Sequence, residues 1–118
     1  MAFSGKWIFT ASMDVDPDKE SLFNEVYDAE HVPHLSKVPG VISATRLKID
    51  TLRVTIGGET KTIEPQGVPR YSCMIEIESP DVLTSAAFVN AVEAGRWPLE
   101  VRPFTRNRKH TLHKVIGK

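Results

Sequence analysis

Apolar and polar positions alternate along several stretches of the chain and follow a helical stripe along two others. From Lys6 to Met13, Trp7, Phe9, Ala11 and Met13 fall on one side of an extended segment and Ile8, Thr10 and Ser12 on the other. This predicts a strand with one strongly apolar face. Asp16-Pro17 then opens a helix, with Asp16 placed to cap free N–H groups and Leu22, Phe23, Val26 and Ala29 forming its apolar stripe. Pro33 disfavours helical geometry at Val32, so the helix is expected to end or kink there, ahead of a turn reaching Pro39-Gly40. From Val41 to Ile49 a second strand sets Val41, Ser43, Thr45, Leu47 and Ile49 against Ile42, Ala44, Arg46 and Lys48.

Leu52 to Ile56 and Thr60 to Ile63, joined by Gly57-Gly58, read as a small hairpin at the sheet edge, because paired glycines permit the positive φ of a tight turn. Tyr71, Cys73, Ile75 and Ile77 alternate with polar neighbours in a third core strand. Ser79-Pro80-Asp81 starts a second helix carrying Val82, Leu83, Ala86, Ala87, Val89 and Val92, interrupted near Thr84-Ser85 and stopped at Gly95. Irregular chain is expected around Pro98 and Pro103, then a last strand over Arg108 to Ile116.

Two strand-helix-strand halves predict an α+β fold, a ferredoxin-like β-α-β-β-α-β sandwich with an antiparallel sheet and both helices on one face. The other face is then bare. Trp7, Phe9, Leu47, Ile75 and Leu112 are not expected to fit together beneath two helices, and exposed apolar patches of more than a few hundred Å² are rare. A second copy of the chain covering the open sheet face is the expected remedy. At 118 residues the chain is read as one domain over 1–118, with 51–66 as an extra hairpin or loop.

Charge narrows the partners. Lys plus Arg and Asp plus Glu both number 15, without the basic excess of a nucleic-acid-binding domain. No apolar run approaches a membrane span and no signal-peptide pattern opens the chain, so no membrane partner and a cytoplasmic location are expected. The single Cys73 agrees with a reducing compartment and reads as a small buried hydrophobe. Asp14 to Glu30 holds seven acidic residues against one Lys, and everything after Glu100 is basic with no acid. These read as two solvated faces, complementary across an interface.

The segment Leu22 to Pro33, with Tyr27, His31 four residues later and Pro33 two after that, is followed by Val38-Pro39-Gly40 and Ser43-Ala44-Thr45-Arg46. This order resembles the EthD-like branch of the dimeric α/β-barrel superfamily, and the likeness continues through Tyr71 to Glu78 and Ser79-Pro80 to Phe88. Thr51 to Gln66 departs from it, being longer than the usual link between the second and third strands. The resemblance implies a homodimer whose sheets pack face to face as a barrel, with a cavity in each subunit between sheet and helices. Members of the superfamily include cofactor-independent monooxygenases, lactone isomerases, polyketide cyclases or dehydratases and haem-handling proteins. It implies a cofactor-independent enzyme acting by proton transfer on a small hydrophobic, aromatic or polyketide-like compound. The alternatives are a noncatalytic small-ligand-binding dimer and a haem-handling protein.

Tyr27 and His31, four apart on one helix, share a face, so a phenol and an imidazole could converge on one ligand. The expected roles are His31 as acid or base and Tyr27 as orienting group. The competing structural reading ties His31 to a loop or backbone carbonyl and packs Tyr27 in the core. Arg46 is a candidate for holding a carboxylate or enolate oxygen, although a salt bridge to an acid of the first helix is the favoured account. His34 near the helix end and Trp7 on the apolar side of the first strand complete the candidate substrate contacts. Glu30, about 100° around the helix from His31, reads as a surface or interface charge. Glu30, His31 and His34 lack metal-ligand spacing, and His110 and His113 fall on opposite sides of a strand, so no metal is expected. Dinucleotide, phosphate-loop and serine-elbow motifs are absent from the sequence.

Overall fold

The computed structural model describes residues 5–117. Its strands are β1 (Trp7–Val15), β2 (Val41–Lys48), β3 (Leu52–Ile56), β4 (Glu59–Ile63), β5 (Tyr71–Ile77) and β6 (Thr105–Lys114); its α-helices are α1 (Glu20–Val26), α2 (Val32–Ser36) and α3 (Ala86–Val92). Four strands form one sheet in the order β2-β5-β1-β6, every neighbouring pair antiparallel. β3 and β4 make a separate ribbon joined by Gly57 and Gly58, whose φ values of 61° and 82° fit the tight turn expected of paired glycines. No described helix is long and apolar enough to cross a membrane.

Register decides which side chains reach the helices. Phe9 pairs with both Ile75 and Leu112, so these three share a face, together with Trp7 opposite Ile77 and Lys114. That face packs on the helices: Phe23, Val26, Cys73, Ile75, Ile77 and Val101 are fully buried there. Leu112 on this face is nonetheless 42% exposed, so the five apolar side chains do not all fit beneath the helices, as expected. A bulge between Val41 and Ser43 inserts Ile42 into β2 and reverses the parity beyond it. Ala44, Arg46 and Lys48 turn toward the helices, whereas Ser43, Thr45 and Leu47 join the outer face, where Leu47 is 43% exposed. The outer face is mixed, with Thr10, Ser12, Ser72, Met74 and Leu47. Its polar groups pair among themselves: the Ser12 and Ser72 hydroxyls lie 2.6 Å apart, and Ser43 Oγ donates to Glu76 at 2.8 Å.

The first helix also differs from expectation. It does not stop at Val32; a π turn over Tyr27–His31 carries α1 into α2, with the Val32 N–H donating to the Tyr27 carbonyl five residues back. The wider turn and the first-turn position of Pro33 absorb a ring and a missing N–H that would break a regular helix interior. Asp16 does not cap: its carboxylate pairs with Arg106 at 2.8 Å, and its backbone carbonyl takes the Lys19 N–H. The second helical segment is divided as expected. A 3-10 turn over Pro80–Thr84 precedes α3, which Ser85 caps by accepting from the Phe88 N–H at 3.2 Å. A further π turn, Trp97–Val101, and a 3-10 turn, Arg102–Phe104, fill the proline-rich stretch before β6, which begins earlier than expected, at Thr105.

Candidate functional site

Between the helix-facing side of the sheet and the helices lies a cavity of about 430 Å³. Phe9, Ala11 and Met13 of β1 and Ile75 of β5 form its floor; His31, Leu35, Phe88 and Trp97 enclose it from above. Glu93, Arg102, Arg108 and His110 edge it on the side of β6. The wall is thus mostly apolar and aromatic, with a few polar groups converging on it, the usual make-up of a small-molecule site.

His31 is the most constrained polar group in this wall. The π turn sets its imidazole against Trp97, the rings nearly parallel at 4.2 Å between centroids, and the Tyr27 ring meets it edge-on at 5.1 Å. The side chain is 4% exposed and its Nδ1 is buried with no hydrogen-bond partner among the described residues. Burial first, then the positive charge of Arg102 and the nearby His34, push its pKa down to about 4, against a small opposing pull from Glu93. At neutral pH the ring is uncharged and keeps a free nitrogen lone pair.

Tyr27 shares the cavity wall with His31, as the four-residue spacing predicts, but through its ring. Its hydroxyl lies toward the Cys73 thiol, and burial raises its pKa, so it stays protonated. The Arg46 guanidinium lies 4.6 Å from the centre of the Tyr27 ring and donates to Asp28 at 2.9 Å and Asn24 at 2.8 Å. Arg46 thus meets an acid of the first helix and lines a shallow hollow with Lys48 and Tyr71, apart from the His31 cavity. Trp7 lies at the start of β1 under Lys114, and His34 sits beside Gly95; neither lines the cavity.

Glu30 has a more specific place than a surface charge. Its carboxylate accepts from the Arg96 backbone N–H at 2.9 Å and from Arg96 Nε at 2.5 Å, while Glu25 takes another guanidinium nitrogen at 3.0 Å. These bonds hold the Glu30 carboxyl below its usual pKa and fasten the turn that carries Trp97 onto the helix that carries His31. Gly95 makes the close approach possible: its φ is +69°, and an added Cβ would collide with Glu30 Oε1.

The sequence reading missed Phe88, Trp97, Arg102, Arg108 and His110. One signal was present: Arg108 and His110 are two apart on a strand and so share a face. His110 lies opposite Ala11 on the helix side and His113 opposite Ile8 on the outer side, so the two histidines are separated as expected. Among the described residues no group of three metal-ligating side chains comes together.

No family profile and no curated protein matches the sequence. Solved structures do match in shape. The haem degrader MhuD of Mycobacterium tuberculosis, described with two haems bound in its active site, aligns at a TM-score of 0.58 and 12% identity, covering 95% of this chain and 97% of that one. An EthD family protein of Bacillus halodurans aligns at 0.57 and 13% identity, covering 93% and 99%. The chain has a ferredoxin-like α+β fold, which these structures match in shape. Near-complete coverage in both directions extends that likeness to the whole sheet and its helices. At such identities it carries the fold and leaves the chemistry to the site.

Proposed function

We propose that this chain is an enzyme that moves a proton on a small hydrophobic, aromatic or polyketide-like compound bound in the cavity, with His31 as the base. The observation that carries this reading is the buried, unpartnered Nδ1 of a neutral imidazole in an aromatic wall. Leaving a buried polar atom unsatisfied costs about 1–3 kcal/mol, and such groups concentrate where a ligand or reaction uses them. A resting pKa near 4 makes His31 by itself a weak base. A carbanion or enolate forming beside the ring would stabilise the imidazolium by direct charge attraction, strengthening the base as the transition state is approached. Tyr27, its ring edge-on to both His31 and Trp97, supplies wall and packing.

The test follows deuterium exchange at the carbon next to the carbonyl of 6-carboxy-1-tetralone, an aryl ketone, by NMR in D₂O. Wild-type protein is expected to accelerate exchange by about 10²–10⁴-fold, the range for a positioned general base, and His31→Gln to lose that acceleration while remaining folded. Binding without faster exchange would favour the noncatalytic ligand-binding reading instead.

The same reading includes a homodimer through the outer sheet face. The fold of the dimeric barrels and the exposed Leu47 support it, and monomer alone in sedimentation at micromolar concentration would end it. The buried, unpaired Cys73 suits a reducing cytoplasm.

Haem handling is a second reading, favoured by the MhuD likeness and by two imidazoles on one cavity. The ring faces of His31 and His110 are taken by Trp97 and Phe9, which leaves their in-plane nitrogens as candidate iron ligands. Bound haem would supply oxidative chemistry. A haemin titration that leaves the Soret band unshifted would end this reading.

A further inference from the structure

We propose that the ligand of this cavity is a planar aromatic carboxylate, and that Arg108 receives its carboxylate at the mouth. The inference rests on reading the cavity as a ligand site and adds the ligand's charge and orientation. Two arginines line the cavity, the half-buried Arg102 and the exposed Arg108. Arg102 is already committed: it donates to both carboxylate oxygens of Glu93, at 3.1 and 2.6 Å, and to the Val92 carbonyl at 2.9 Å. This fork also neutralises Glu93, the one acid on the rim. Arg108, by contrast, has no ion-pair partner among the described residues, whereas its neighbours Arg102 and Arg106 are paired with Glu93 and Asp16.

The surroundings of Arg108 give the rest of the ligand its shape. His110 follows on the same face of β6 and stacks on Phe9 at 5.9 Å with the rings 16° apart, so two nearly parallel rings adjoin Arg108 along the cavity wall. Further in, Phe88, its ring edge-on to Phe9 at 82°, and Trp97 wall the cavity, which ends at the nearly inaccessible His31. A flat hydrophobic body would bury against these rings, while its carboxylate meets the planar fork of Arg108, the donor geometry suited to bidentate carboxylate binding. The carboxylate would stay at the exposed edge strand, and the carbon presented to His31 would belong to the far part of the ring system.

The experiment measures calorimetric affinities of 2-naphthoate and its neutral isostere 2-naphthamide for wild type, Arg108→Lys and Arg108→Gln. Wild type is expected to prefer naphthoate by about tenfold, a modest preference fitting a pair at an exposed mouth, and to lose part of it in high salt. Arg108→Gln should abolish the preference without weakening naphthamide, and Arg108→Lys should keep part of it. Protoporphyrin IX and its dimethyl ester form a second arm. An Arg108-dependent preference seen only there would assign the carboxylate to a tetrapyrrole and overturn the compact aromatic class. Equal affinity for acid and amide, a preference that survives Arg108→Gln, or no binding of either pair at millimolar concentration would overturn the proposal. A carboxylate preference without proton exchange on the aryl ketone would leave it standing and remove only the proton-transfer reading.

Discussion

His31 should make the protein progressively less stable as the solution is acidified, by an amount that can be worked out. In the fold its pKa is held at about 4, against an ordinary value near 6.5. Between these values the unfolded chain binds a proton that the folded chain refuses. The sign is therefore fixed: stability is unaffected by this group above about pH 6.5 and is lost as the pH falls toward 4. At about 1.4 kcal/mol per pH unit, the interval between the two pKa values integrates to roughly 3 kcal/mol. Glu30 and Glu93, held below their usual pKa by hydrogen bonds from Arg96 and Arg102, also lose stabilising contacts on acidification, so the wild-type curve alone does not isolate His31. The informative quantity is the difference from His31→Gln. Urea unfolding followed by tryptophan fluorescence at several pH values from 7 to 4.5, at one protein concentration, should give a steeper loss for wild type than for the variant. Parallel curves, or an NMR titration of His31 with a midpoint near 6.5, would refute the argument.

Gly95→Ala should destabilise the protein by about 1–3 kcal/mol in urea unfolding, because it combines a positive φ with a collision against the Glu30 carboxylate. It should also change Trp97 emission, since the turn carrying that ring is what Glu30 fastens; an unchanged midpoint and spectrum would contradict this. Arg46→Met should lower stability by about 1 kcal/mol through loss of its bonds to Asp28 and Asn24 and its contact with Tyr27, while leaving aryl ketone exchange intact. A variant of normal stability that no longer catalyses exchange would return Arg46 to the site.

Much of the architecture was readable because it rests on local chemistry. Alternation marked β1 and β5, Gly57-Gly58 marked the ribbon, and the interruption expected near Thr84-Ser85 marked the break before α3. What escaped depended on choices that sequence patterns do not encode. The bulge at Ile42 reverses the faces of β2 and moves Leu47 to the outside and Arg46 to the inside, a change of one residue in register with opposite consequences for every side chain after it. Pro33 read as a helix stop or kink because a regular helix has no room for it; the π turn that accommodates it also sets His31 against Trp97. The pairing of His31 with Tyr27 was legible from spacing alone. Their union with Trp97, Arg108 and His110 needed the antiparallel register of β1 and β6, which joins segments about a hundred residues apart in the chain.

The central claim, that the cavity beside His31 is where this protein binds and acts on a flat hydrophobic compound, is tested most directly by a crystal structure with 6-carboxy-1-tetralone. The ring system is expected between Phe9 and Trp97, the carboxylate on Arg108, and the carbon next to the carbonyl about 3–3.5 Å from an imidazole nitrogen of His31, the separation of reacting atoms poised for transfer. A ligand bound elsewhere, or a cavity closed by repacking of Trp97 over His31 with no ligand admitted, would contradict it.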